Sequence, residues 1–86
     1  MTEAQVGRSP LVLWRRATDR TLVLSGGQVH QLLGLSAFVW DLLAEPKSPR
    51  ELSFELAKVG LPAAFPLAEV ESLVQTLLAL EVVIKL

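Results

Sequence analysis

The chain has 86 residues, 51% of them apolar, no cysteine and a formal net charge of −1. That length makes one small domain with little stability to spare, and the apolar share argues against disorder. The missing thiols exclude disulfides, thiolate catalysis and zinc-finger chemistry.

The opening MTEAQVGRSP lacks the basic, apolar and small-residue order of a secretory signal. No apolar run reaches the roughly 18 residues that a membrane-spanning helix needs. The expected location is therefore the cytoplasm, with no membrane partner. Residues 1–9 read as a mobile arm, and 10–86 as the domain.

After Pro10, Leu11-Val12-Leu13-Trp14 is short, apolar and ends at Arg15-Arg16, which predicts a first strand. Ala17–Arg20 is a turn. Thr21–Ser25 is a second strand and Gln28–Leu32 a third. Between them Gly26-Gly27 suits a two-residue type I′ hairpin, because both positions tolerate positive φ. That loop fixes the register, with Ser25 facing Gln28, Leu24 facing Val29, Val23 facing His30 and Leu22 facing Gln31. Leu22, Leu24, Val29 and Leu33 then share one face, taken as the core face. Val23, His30 and Leu32 share the other. A four-residue first turn places Trp14 across from Val23 on that outer face.

Gly34 ends the strands. Residues 35–44 form a helix with Leu35, Phe38, Val39, Leu42 and Leu43 on one stripe, and Pro46 stops it. Ser48-Pro49-Arg50-Glu51 is a helix start, with a Ser cap, Pro in the first turn and Glu three residues after the Ser. This second helix buries Leu52, Leu56 and Val59 and stops at Gly60. Residues 61–65 are a loop, and Pro66 opens a third helix running to about Leu80. Val82–Leu86 is a β-prone tail. The order is β-β-β-α-α-α, an α+β domain similar to a rearranged winged helix-turn-helix.

Leu67, Val70, Leu73, Val74, Leu77, Leu78 and Leu80 cover about 160° of the third helix, where one core face needs about 100°. Either this helix is central, or one margin of its stripe lines an open groove beside the third strand. The second possibility raises the question of what pairs with that strand. A peptide added there forms four or five backbone hydrogen bonds, each worth a net ~1 kcal/mol. Micromolar affinity needs about 8 kcal/mol beyond the ordering costs, so apolar pockets have to supply the rest.

The pattern PLVLWRR, TLVLSGGQVHQLLGLSAFVWDLLAEPKSPRELSFELAK and LAEVESLVQTLLALEVV resembles the PqqD-like domains, the precursor peptide recognition elements of ribosomally made natural products. The resemblance spans about residues 10–84. It implies three strands followed by three helices. It also implies non-catalytic binding of a precursor's leader region as an antiparallel strand on the third strand, in a groove against the third helix. The leader is then presented to modifying enzymes or a leader peptidase. Carried onto this chain, it assigns Gln28, Val29, His30, Gln31 and Leu32 on the strand side and Val70, Leu73, Val74 and Leu77 on the helix side. Family members often carry aromatic residues on the third strand, where this chain has Val29 and His30. A Gly often follows their last helix, where this chain has Glu81.

Other readings compete. His30 is the only histidine, so no metal site is expected, and no cofactor. No serine has an evident base, and Gly-Gly alone is a hairpin rather than a phosphate loop, so an enzyme is not expected. A winged-helix DNA-binding regulator needs a basic recognition helix. The third helix carries Glu69 and Glu71 and no Lys or Arg, so a nucleic-acid partner is not expected. A general protein-interaction module remains the other alternative. Trp40 is expected in the core, Trp14 in the core or on the outer face, and Phe54 under the 61–65 loop or against a partner.

Overall fold

The computed structural model describes residues 4–58 and 67–86. Its elements are β1 (Val6–Arg8), β2 (Leu13–Arg16), β3 (Thr21–Ser25), β4 (Gln28–Leu32), α1 (Leu35–Leu42), α2 (Pro49–Lys58), α3 (Leu67–Ala79) and β5 (Val83–Lys85). The domain is α+β, with three helices and a three-stranded antiparallel sheet ordered β2-β3-β4. A second, two-stranded sheet joins β1 to β5.

The expected hairpin register holds at every pair, from Ser25↔Gln28 to Leu22↔Gln31. Gly26 and Gly27 have φ of 57° and 79°, the pair of positive values that a type I′ turn needs. The Ala17–Arg20 turn has the expected length, and Trp14 faces Val23. β2 starts two residues later than the apolar run does. Ser9–Val12 forms a turn with Pro10 in its second position, closed by a bond from Val12 N–H to the Ser9 carbonyl at 3.4 Å.

The sheet faces are the reverse of the expectation. Thr21, Val23 and Leu32 are buried, Val23 with 0% of its surface exposed, while Leu13 is 70% and Val29 62% exposed. Leu22, Leu24, Val29 and Leu33 therefore do not make the core face. Leu22-Val23-Leu24 is apolar on both sides of the strand, so alternation could not choose between them. Trp14 and Leu32, the large neighbours of Val23 and Thr21, fill the inner side instead.

Residues 1–9 were expected to be a mobile arm, but β1 lies within them. Its Val6, Gly7 and Arg8 pair with Lys85, Ile84 and Val83. Val6 also exchanges two main-chain hydrogen bonds with Lys47, at 2.8 and 3.0 Å. Gly7 sits where an added Cβ would meet the Leu86 side chain at 3.2 Å, so a larger residue would crowd this strand. The β-prone tail is thus the partner of the N-terminal strand.

The core joins Val23 and Leu32 of the sheet to Val39, Trp40 and Leu43 around α1, Leu52 and Leu56 of α2, and Val70, Val74 and Leu77 of α3. Val6 and Val83 of the second sheet close it, with Val82 just before β5. The start of α2 is the expected capping box. Glu51 N–H donates to Ser48 Oγ at 3.1 Å, and Ser48 N–H donates to Glu51 Oε1 at 2.9 Å. The expected burial of Val59, the stop at Gly60, the 61–65 loop and the start at Pro66 lie outside the described residues.

Candidate functional site: an open strand edge

In a two-residue hairpin the flanking residues are a hydrogen-bonded pair, and bonded and non-bonded pairs then alternate along the ladder. Gln28, His30 and Leu32 therefore direct their main-chain groups to β3. Val29 and Gln31 direct theirs away from it, at the edge of the sheet. Among the described residues, no main-chain hydrogen bond from outside the sheet reaches those groups. The C-terminal strand, which could have filled the edge, pairs with β1 instead.

The two edges of this sheet differ. β2 carries Arg15 and Arg16, and Arg16 forms an ion pair with Asp41. Charged side chains are a common protection of an exposed edge. β4 has the sequence QVHQL, with no Lys, Arg, Asp, Glu or Pro. Its edge carries none of these guards.

On the outer face, Leu13, Leu24 and Val29 form one cross-strand row, and Arg15, Leu22 and Gln31 the next. Leu13, Trp14, Arg15, Leu22, Leu24 and Val29 line an apolar concavity of about 250 Å³. Arg20 lies at one end of this face. Its Nη1 donates to Gln31 Oε1 at 2.7 Å, and its Nε donates to Asp19 Oδ1 at 2.9 Å. That bond from Arg20 holds the Asp19 carboxyl below its usual range, and Asp19 in turn raises Arg20.

The expected site residues separate into two groups. Gln28, Val29 and Gln31 are exposed and His30 is partly so, while Leu32 is buried in the core. On α3, Val70, Val74 and Leu77 have at most 2% of their surface exposed, and Leu73 is half-buried against the core. Of the four residues assigned to the helix side, Leu73 alone presents surface. The breadth of the α3 stripe reflects a central helix, packed on both α2 and β5. Sequence reasoning missed Leu13 and Leu24 as exposed outer-face residues, with the partly buried Leu22 beside them. Their row partners were legible in the register, and only the choice of face hid them.

No family model, curated protein or solved structure matches the chain. Among the described residues, no group of three His, Cys, Asp or Glu side chains gathers as metal ligands would. No described helix is long and apolar enough to cross a membrane. Trp40 is buried, as expected of a core residue. Trp14 packs edge to face on it with centroids 6.0 Å apart, yet keeps 42% of its surface exposed. Phe54 is 64% exposed, with Lys58 Nζ 4.8 Å from its ring centre.

Proposed function

We propose that the domain binds an extended peptide by strand addition to β4. The observation that carries this reading is the outward, unguarded main chain of Val29 and Gln31. Main-chain bonds supply direction and register, while side-chain contacts supply most of the selectivity. The resemblance to PqqD-like domains narrows the peptide to the leader region of a ribosomally made precursor. The bound leader is presented to a modifying enzyme or a leader peptidase, in the cytoplasm, and the domain itself is not catalytic. In this reading the fold is winged-helix-like, with the β3–β4 hairpin as the wing.

On the helix side the contact falls to Leu73, because Val70, Val74 and Leu77 already hold the core together. A fluorescent peptide matching the leader encoded beside this gene tests the proposal by titration. Saturable binding with a Kd of about 1–10 μM is expected, the range where a short ladder is joined by a few apolar contacts. Absence of saturation at millimolar peptide overturns it.

A further inference from the structure

We infer that the strand accepted at this edge carries a hydrogen-bond acceptor, best a carboxylate, two residues before an aliphatic side chain, and that both are read on the outer face of the sheet. The inference rests on strand addition at β4 and goes on to name the peptide pattern.

The register dictates the spacing. An antiparallel strand bonded to the outward groups of Val29 and Gln31 places one residue opposite each of them. Those two residues are separated by one, and their side chains share the outer face with Val29 and Gln31. The antiparallel direction puts the residue opposite Gln31 first. A slip by one residue would turn both side chains to the inner face, so the pattern also sets the register.

The chemistry differs at the two positions. Val29 ends the row Leu13–Leu24–Val29, so an aliphatic residue opposite it extends an apolar row already on the surface. Gln31 sits in the row of Arg15 and Leu22. The Arg20 guanidinium can only donate, so Gln31 turns its amide oxygen towards it. The two N–H donors of the Gln31 amide are then left for an acceptor on the incoming strand. Asp19 balances Arg20, and Arg15 adds a further positive charge to the same row. A carboxylate opposite Gln31 suits this end of the face. On the row of Leu13, Leu24 and Val29 it would be desolvated without a partner.

Two short synthetic peptides of the same composition, one centred on Asp-Ser-Leu and one on Leu-Ser-Asp, test this by fluorescence anisotropy. About tenfold tighter binding of the first is expected, the sum of two favourable cross-strand pairs. Gln31→Glu adds a like charge at the exposed position, so it should move the preference from Asp-Ser-Leu to Lys-Ser-Leu. Val29→Thr keeps a branched strand residue and should reduce the discrimination between Leu and Ser opposite it. Equal affinities, unmoved by Gln31→Glu, overturn the pattern and leave strand addition standing. Failure of every peptide to bind, with unchanged amide exchange at Val29 and Gln31, overturns strand addition and the pattern with it.

Discussion

Arg8 is tied to Trp40 twice. Its Nε and Nη2 donate to the Trp40 carbonyl at 3.0 and 2.7 Å, and its guanidinium carbon lies 4.9 Å from the centre of the Trp40 ring. The same guanidinium lies 4.6 Å from the Trp14 ring, so one side chain joins β1, β2 and α1. Burial draws the Arg8 pKa down from its ordinary value, with Asp41 opposing that shift. Arg8→Met should cost about 2 kcal/mol, as charge-assisted hydrogen bonds and cation–π contacts are lost together. Urea unfolding measures the cost. Faster amide exchange in Val83–Lys85 would locate it at the β1–β5 ladder.

The capping box makes a second prediction. Ser48→Ala should lower stability by about 1 kcal/mol. The bond from Ser48 N–H, and then the Gln5 side chain, hold the Glu51 carboxyl below its ordinary 4.5. A depressed folded-state pKa contributes stability above the unfolded value, and that contribution is lost as pH falls through the folded one. The stability of the natural chain should therefore drop below about pH 4.5 more steeply than that of Glu51→Gln. Divergence of the two pH profiles, measured side by side, would reveal the box as the source. Parallel slopes would refute it.

Glu81 has a φ of 61°. Its N–H bonds to the Leu78 carbonyl at 3.0 Å and that of Val82 to the Leu77 carbonyl at 3.3 Å, so α3 ends in a Schellman motif with Glu in the place that favours Gly. Glu81→Gly should raise stability by about 1 kcal/mol, since glycine meets no Cβ penalty there. A rise in Tm checks it.

Proline distinguishes the two sides of β4. At Val29 or Gln31 it removes an N–H that points away from β3, so the fold should survive while peptide binding is lost. At His30 it removes a bond within the hairpin and should unfold or loosen the domain. Circular dichroism beside peptide titration reads both effects. Binding retained by a folded Gln31→Pro would be incompatible with strand addition.

Val74 and Leu73 separate core from contact. Val74→Ala should cost about 2 kcal/mol, because it opens a cavity among buried side chains. Leu73→Ala should cost less stability and weaken peptide binding more. The comparison needs Tm and Kd for both variants.

Much of this architecture was legible in the sequence, for local reasons. Gly26-Gly27 dictates the hairpin register, and Ser48 with Glu51 announces α2, because each signal is complete within a few residues. The orientation of the sheet was not legible. Leu13, Leu22, Leu24 and Val29 outnumber the apolar residues on the side that is buried, so counting hydrophobicity selects the wrong face. β1 was hidden for a different reason. Val6-Gly7-Arg8 has no strand pattern of its own and becomes a strand through Lys47, the C-terminal residues and Trp40. The open edge followed from the register. The burial of Val70, Val74 and Leu77 depended on how α3 sits between α2 and β5, which no local pattern encodes.

The β1–β5 ladder has a mechanical consequence. Val6 lies beside Lys85, and Leu86 N–H bonds to the Gln5 carbonyl at 2.9 Å, so the free ends of both strands emerge at the same side. Tension applied through the two ends loads these bonds one after another, as in opening a zipper, rather than all at once in shear. The domain should yield at low force, beginning at its ends, while the hairpin that holds Val29 and Gln31 is still intact.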